Sequence, residues 1–115
     1  MVKKISTEEL KKKLDNREKF LLVDVLLQQS YDLQHIPGSI SVPYDADFLE
    51  RFVKVPGAAK DAEIITYCAS SGCQLSAIAA HVLMEAGYTN VGHYVDGLVG
   101  WNDAGYEFEG EEKAG

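Results

Sequence analysis

Both cysteines of the chain lie in one short segment, which reads "YCASSGCQLS" at residues 67–76. Cys68 and Cys73 are separated by small residues, and the segment stands between an apolar run and an amphipathic run. A cysteine that is ionised to the thiolate is a strong nucleophile. The spacing therefore indicates thiol chemistry, either nucleophilic catalysis by one sulfur or exchange between two sulfurs.

The position of Cys68 favours the nucleophilic reading. It ends the apolar run "AEIITY", and the carboxyl ends of parallel strands are where α/β sheets bind ligands. The following residues are small enough for their backbone N–H groups to turn towards one point, and such a group of amides beside a helix N-terminus stabilises an anion. We expect this loop to favour the Cys68 thiolate at neutral pH. The backbone amides concerned belong to Ala69, Ser70, Ser71, Gly72, Cys73 and Gln74.

Other readings of the cysteines stay open at this point. Cys68 could be a small buried hydrophobic residue, as free cysteines often are. Cys73 could be a resolving thiol that attacks a Cys68 persulfide or sulfenate, releases sulfide or water and leaves a disulfide, or it could fill space at the base of the loop. A zinc site with two histidines would need a closely spaced histidine pair, which the sequence does not offer.

Size and charge exclude several classes of protein. The chain has 115 residues, enough for one domain with its own core, and its formal net charge is −7. An acidic chain argues against nucleic-acid and anionic-membrane partners. The absence of an apolar segment of about 20 residues argues against a membrane span, and the charged N-terminus has no apolar segment behind it, as a secretory signal would. We therefore expect a cytoplasmic protein with reduced cysteines.

The remaining sequence predicts the elements that position the loop. Short apolar runs alternate with amphipathic segments, which is typical of an α/β fold with a central parallel sheet and helices on both faces. We expect a single domain over residues 1–115, with its core at about 5–108 and an acidic tail at 109–115 that frays. The predicted strands are 19–25, 39–42, 62–68 and 90–96, and the predicted helices are 5–16, 45–55, 74–86 and a short helical turn in 97–106.

Four segments, in order, resemble the rhodanese homology domain along nearly the whole chain. The second of them contains the block His-Ile-Pro-Gly after an aromatic residue, which is the most specific part of the resemblance. The segments are "LLVDV" at 21–25, "YDLQHIPGSISVP" at 31–43, "ITYCASSGCQLSAIAAHVLMEAGYTNV" at 65–91 and "YVDGLVGWNDAGY" at 94–106.

The resemblance implies a rhodanese-like fold and sulfurtransferase chemistry. Cys68 would take a sulfane sulfur from a small donor such as thiosulfate or a persulfide, and would pass it to a thiol or protein acceptor. The loop amides would stabilise the persulfide anion, and no metal or organic cofactor is implied. Asp24 and His35 would support the site, Asp24 by accepting bonds from loop amides or from the neighbouring segment, and His35 by bracing the turn through hydrogen bonds.

The loop departs from the family pattern in its charge and in its length. Members of the family usually carry an arginine in the loop, whereas no arginine or lysine lies between Cys68 and Ser76. Counting forward from Cys68, the arginine position holds Cys73; counting back from Ser76, it holds Leu75, and the loop is two residues longer than usual. A guanidinium would bind a dianionic donor such as thiosulfate through two hydrogen bonds at once, so its absence predicts that thiosulfate is a poor donor. Its absence also argues against the phosphatase and arsenate-reductase activities of related proteins, which need an arginine for the oxyanion.

Two further functions remain as alternatives. The chain could be a thiol–disulfide redox or sensing module that cycles a bond between Cys68 and Cys73, which requires Cα atoms less than about 7 Å apart. It could also be a catalytically weak domain that binds a protein partner, a reading to which the missing cation lends weight. The sequence leaves the sulfur donor, the acceptor and the oligomeric state open.

Overall fold

The computed structural model describes residues 2–111. Within this range, short strands alternate with short helices. The strands are β1 (Lys3–Ile5), β2 (Leu21–Asp24), β3 (Ser39–Ser41), β4 (Glu63–Tyr67) and β5 (Asn90–Tyr94), and the helices are α1 (Thr7–Asp15), α2 (Gln28–Leu33), α3 (Phe48–Phe52), α4 (Leu75–Glu85) and α5 (Gly97–Asp103).

The strands form one parallel sheet in the order β1-β5-β4-β2-β3, so β4 lies at its centre. Asp24 is the register partner of Tyr67 in β4 and of Ser41 in β3. All five strands end at the same edge because they run in the same direction. The residue that follows β4 therefore lies at the middle of the carboxyl edge, and that residue is Cys68.

A hydrophobic core covers each face of the sheet. Phe48 and Phe52 of α3 and Leu83 of α4 belong to one core, and Leu10 of α1 and Trp101 of α5 belong to the other. The predicted parallel sheet with helices on both faces is therefore confirmed. A strand that is buried on both faces has no polar alternation, which is why the short apolar runs were recognisable.

The first helix begins as its sequence predicts. The Ser6 side chain accepts a hydrogen bond from the Glu9 amide at 3.1 Å, and the Glu9 carboxylate accepts one from the Ser6 amide at 3.2 Å. This reciprocal capping box satisfies two amides that have no partner inside the helix. It fixes the point where the chain leaves β1 and enters α1.

Two elements were missed by the sequence interpretation. The strand β1 has only three residues, of which Ile5 alone is buried, and α2 has no buried residue and no side-chain cap. Neither element has the apolar periodicity on which the interpretation depended. Both lie where the sequence predicted turns or a terminus.

The prediction that the acidic tail frays is wrong for its first residues. His35 and Glu109 exchange two backbone hydrogen bonds of 2.8 and 2.9 Å, and the Glu111 amide donates to the Asp32 carbonyl oxygen at 2.9 Å. Backbone pairing and the burial of the adjacent Phe108 outweigh the acidic composition here. The rest of the predicted tail, residues 112–115, lies outside the described residues.

The buried face of α4 does not contain two of its large apolar residues. Leu75 and Ile78 are 36% and 42% exposed. The helix is turned so that its small residues approach the sheet closely, and a larger side chain would hold the helix further away. The buried residues of α4 are Ser76, Ala79, Ala80 and Leu83.

Candidate active site at the carboxyl edge of the sheet

Cys68 lies at the base of the loop between β4 and α4, with 1% of its surface exposed. Its carbonyl oxygen accepts a hydrogen bond from the Leu98 amide at 3.1 Å, and the Ala69 carbonyl oxygen accepts one from the Val99 amide at 2.9 Å. The first turn of α5 therefore holds the start of the loop. This arrangement fixes the backbone on which the sulfur stands.

Gly97 allows α5 to approach the loop so closely. Its φ of +60° is in the left-handed region, and a Cβ atom there would lie 2.4 Å from the Cys68 carbonyl oxygen. Any residue other than glycine would push the loop and α5 apart. The glycine in the "YVDGLVGW" segment thus has a specific task, which is to bring two backbone segments into contact.

Cys68 and Cys73 are joined by a disulfide bond, and their Cα atoms lie 6.4 Å apart. The Cys73 amide donates to the Ser70 carbonyl oxygen at 3.0 Å, so a tight turn brings the second cysteine back over the first. The separation meets the geometric requirement of the redox hypothesis. The amide of Cys73 is occupied in this turn, while Ser71 and Gly72 at the tip of the loop are exposed.

Ser76 is a site residue that the sequence interpretation did not select. It is 1% exposed, and its hydroxyl oxygen lies 3.2 Å from the Cys68 sulfur. The Ser76 carbonyl oxygen accepts a hydrogen bond from the Thr66 hydroxyl at 2.8 Å, which ties α4 to β4. Because a disulfide sulfur carries no hydrogen, the Ser76 hydroxyl is the donor in this contact.

The N-terminal end of α4 adds a positive potential beside the sulfur. The helix has 11 residues and no acidic residue in its first turn, and Gln74 at its N-cap makes no side-chain cap. The first amides of an α-helix have no partner within the helix, so they and the helix dipole favour a nearby anion. These features support a thiolate or a persulfide anion at Cys68.

Asp24 supports the same edge from the neighbouring strand. It is fully buried, and its Oδ1 atom accepts a hydrogen bond from the Leu26 amide, two residues further along its own chain segment, at 2.9 Å. Burial raises the pKa of this carboxyl group, and the bond from Leu26 opposes the rise. No hydrogen-bond partner for Oδ2 lies among the residues that the structure describes.

Next to Asp24, the Tyr67 hydroxyl joins β4 to the segment before β3. It accepts a hydrogen bond from the Ile36 amide at 3.1 Å and lies 3.0 Å from the Ser39 hydroxyl. The Ser39 hydroxyl donates to the Ile36 carbonyl oxygen at 2.7 Å, so Tyr67 is the donor to Ser39. Burial is the main cause that raises the pKa of Tyr67, so this hydroxyl stays protonated.

His35 lies just before the Pro37–Gly38 turn, and its side chain contacts Tyr31. Its Nδ1 atom lies 2.7 Å from the Tyr31 carbonyl oxygen, and its ring stacks on the Tyr31 ring with the centroids 3.8 Å apart. The Tyr31 hydroxyl in turn donates to the Ser39 carbonyl oxygen at 2.7 Å. The contacts of His35 therefore stabilise the segment that leads into β3.

The surroundings of the loop are acidic. A groove beside the loop residues Ser70 and Ser71 is also lined by the carboxylates of Glu8, Asp96 and Asp103. Together with the absence of arginine and lysine from residues 68–76, this distribution disfavours the approach of a doubly charged anion.

Between residues 2 and 111, no three side chains of His, Cys, Asp or Glu come together as a possible metal site. In the same range, no helix has the length and apolar character needed to cross a membrane.

The chain is similar to known proteins both in sequence and in structure. The chain is 30% identical over 105 residues to the adenylyltransferase and sulfurtransferase UBA4 of Candida albicans, covering 87% of this chain and 23% of that protein. It is 34% identical over 90 residues to the thiosulfate:glutathione sulfurtransferase of Saccharomyces cerevisiae, covering 70% and 63%. The chain thus spans less than two thirds of either relative.

Among solved structures, the rhodanese-like domain of the Alr3790 protein from Anabaena sp. superposes with a TM-score of 0.84 at 26% identity. The superposition covers 97% of this chain and 82% of that one. The profile of the rhodanese-like domain family matches residues 6–104, which include every element from α1 to α5. The protein belongs to the rhodanese-like domain family.

Proposed function

We propose that the protein is a sulfurtransferase that carries sulfane sulfur as a persulfide on Cys68. The observation that carries the proposal is the position of this sulfur. It lies at the carboxyl end of the central strand, beside the N-terminal end of α4 and 3.2 Å from the Ser76 hydroxyl. A thiolate is the form of cysteine that attacks a sulfur donor, and each of these groups favours it.

The transfer takes place in two balanced steps. The Cys68 thiolate attacks the outer sulfur of the donor, forms a sulfur–sulfur bond and displaces the rest of the donor as an anion. A thiol acceptor then attacks the outer sulfur of the persulfide, and Cys68 leaves as the thiolate. The amides of Ala69, Ser70, Ser71, Gly72 and Gln74 and the hydroxyl of Ser76 stabilise the negative charge at both stages; the Cys73 amide is already bonded to the Ser70 carbonyl oxygen.

The charge distribution selects the class of donor. Thiosulfate carries two negative charges and would meet Glu8, Asp96 and Asp103 in the groove without a loop cation to bind it. A persulfide of a small thiol or of a protein can react in its protonated form, R–S–SH, which carries no charge at the reacting sulfur. We therefore assign the protein a persulfide donor and a thiol or protein acceptor, in a reducing compartment such as the cytoplasm, where thiols are abundant.

The disulfide between Cys68 and Cys73 favours a second function. In a thiol–disulfide redox module, the pair would alternate between a dithiol and this bond without carrying extra sulfur. Both functions use Cys68, but only the redox module needs Cys73.

Intact mass spectrometry separates these functions. The reduced protein is treated with thiosulfate or with glutathione persulfide, and Cys68→Ser and Cys73→Ser variants are treated in parallel. A gain of one sulfur that Cys68→Ser abolishes and Cys73→Ser retains supports the carrier. A loss of two hydrogens in the wild type, together with no gain of sulfur in Cys73→Ser, where no resolving thiol could remove it, contradicts the carrier and supports the redox module. An unchanged mass under every condition contradicts both functions and leaves a binding domain.

A further inference from the structure

The two halves of the disulfide differ in their access to solvent. Cys68 is 1% exposed, whereas Cys73 is partly exposed and lies at the edge of the core next to the exposed loop tip. A nucleophile attacks a disulfide in line with the sulfur–sulfur bond, from the side opposite the leaving sulfur. Because Cys68 is almost fully buried, it is closed to a nucleophile from solvent, whereas the partly exposed Cys73 is the accessible half of the bond.

The two sulfurs also differ as leaving groups. A sulfur whose thiolate is stabilised leaves a disulfide faster. The Ser76 hydroxyl, in the first turn of α4, is 3.2 Å from the Cys68 sulfur, whereas no side-chain donor to the Cys73 sulfur is found among the described residues. A thiolate at Cys68 is also favoured by the dipole of the helix that begins there. Access and leaving-group stability therefore agree: an incoming nucleophile bonds to Cys73 and Cys68 departs as the thiolate.

We propose that the oxidised protein takes up hydrosulfide directly and converts it to sulfane sulfur, using the Cys68–Cys73 disulfide as the oxidant. This inference rests on the proposed function because the product is the same Cys68 persulfide. It adds a second loading reaction, with inorganic sulfide as the substrate. Hydrosulfide is small and carries one negative charge, so it needs no loop arginine to reach Cys73.

The reaction balances without any further reagent. Hydrosulfide attacks the Cys73 sulfur and breaks the disulfide, which gives a hydropersulfide on Cys73 and a thiolate on Cys68. The Cys68 thiolate then attacks the terminal sulfur of that hydropersulfide, so the terminal sulfur and its proton move to Cys68 and Cys73 leaves as a thiolate. The sulfide sulfur loses two electrons, and the disulfide gains them as two thiol groups. A thiol acceptor that removes the sulfur from Cys68 leaves a dithiol, which an oxidising disulfide converts back to the starting bond.

The test starts from full-length protein in the disulfide form, treated anaerobically with isotopically labelled sodium sulfide and then with iodoacetamide. We expect one labelled sulfur per chain on Cys68 and an alkylated thiol on Cys73, located by peptide mapping. Cys73→Ser has no disulfide and is expected to retain no labelled sulfur. The same variant loaded with glutathione persulfide shows whether it is folded and whether the carrier function holds by itself.

A bulkier probe reports which sulfur is attacked. Reduced glutathione is added to the disulfide form, and the mixture is quenched early with iodoacetamide. We expect glutathione on Cys73 and the alkyl group on Cys68. Glutathione on Cys68, or reduction by sulfide without retained label, would overturn the inference. If the reduced protein still accepts sulfur from glutathione persulfide in that case, the proposed function stands without it. If neither donor loads the protein, both proposals fail.

Discussion

The hydroxyl oxygen of Ser76 lies 3.2 Å from the sulfur of Cys68, and both residues are 1% exposed. Ser76 belongs to the first turn of α4, and Cys68 directly follows β4. The two residues therefore connect the central strand to the helix that covers it. Among the contacts described, the Ser76 hydroxyl is the nearest side-chain hydrogen-bond donor to the Cys68 sulfur.

Replacement of this hydroxyl should weaken the nucleophile. In Ser76→Ala, we expect loading from glutathione persulfide to slow by about tenfold, the equivalent of one hydrogen bond of about 1.4 kcal/mol. The pH at which Cys68 reacts half-maximally with iodoacetamide should rise, because the thiolate loses a donor. Stopped-flow alkylation between acidic and alkaline pH measures both effects. Ser30→Ala, at an exposed position of α2, is the matched control. Equal rates in both variants would remove Ser76 from the site.

Gly97→Ala should disturb the loop through its backbone. Its added Cβ would lie 2.4 Å from the Cys68 carbonyl oxygen, in a residue with a φ of +60°. We expect the free energy of unfolding to fall by about 2–4 kcal/mol, together with slower loading of Cys68. Urea titration measures the first effect and intact mass the second.

Gly105→Ala is the control for this comparison. Gly105 also has a left-handed φ, +81°, but the position of its added Cβ has open space around it. It should therefore lose only about 1 kcal/mol, the cost of the left-handed backbone for alanine. Similar losses in the two variants would show that the contact between α5 and the loop does not matter.

Restoring a cation to the loop should change the preferred donor. Cys73 occupies the arginine position when the loop is counted from Cys68, so Cys73→Arg places a guanidinium beside the reacting sulfur. We expect loading from thiosulfate to rise by about tenfold relative to Cys73→Gln, since a guanidinium binds two oxygens of an oxyanion at once. Loading from glutathione persulfide should change less. Steady-state transfer to a thiol acceptor with each donor tests this, and an unchanged donor preference would refute the argument from charge.

Asp24 makes stability depend on pH in a predictable direction. Because burial raises its pKa above the unfolded value of 3.8, the folded protein holds this proton more tightly than the unfolded chain does. The contribution of Asp24 to stability therefore falls as the pH rises from 3.8 towards the raised pKa. In Asp24→Asn, which keeps an oxygen for the Leu26 amide, that fall should disappear. Tm values measured across this pH range should show a smaller decrease for the variant than for the wild type.

An opposite sign is expected at Asp45. A hydrogen bond from the Asp47 amide and another from Arg51 lower its pKa, so its contribution is present above pH 3.8 and is lost as the pH falls through the lowered pKa. Asp45→Asn should therefore lose stability relative to the wild type at neutral pH but not at low pH. Identical pH profiles for the Asp24 and Asp45 variants would contradict both assignments.

The sheet was predictable because its central strands are buried on both faces. Runs such as Ile64–Thr66 have no polar alternation, and their order along the chain implies parallel strands with helical crossovers. The location of the nucleophile followed from the same pattern, since a residue that ends a central strand lies at the carboxyl edge. The contact of α5 with the loop did not follow, because it depends on one glycine whose neighbours in space are distant in sequence.

The position of Ser76 could not be predicted from the sequence. Periodicity assigns polar residues to the solvent side of a helix, whereas this serine lies on the buried side because its hydroxyl and carbonyl oxygens both have partners there. Periodicity alone would likewise place Leu75 and Ile78 in the core, whereas both are exposed. The disulfide could not be predicted from the sequence, because the spacing of two cysteines does not show whether a turn brings them together.

The position of β5 between β1 and β4 has a consequence for synthesis on the ribosome. Among the strands that the structure describes, β1 pairs only with β5, and Lys3 is the partner of Gly92, so β1 has no strand neighbour until nearly the whole domain has been translated. A nascent chain that ends before Asn90 exposes the open edge of β4 and the unpaired β1, both of which are places for chaperones or aggregation to act. The segment containing Gly97, which holds the Cys68 carbonyl group in place, emerges later still. The cysteine loop is therefore synthesised well before the contact that orders it, and sulfur chemistry at this loop should begin only after translation has passed α5.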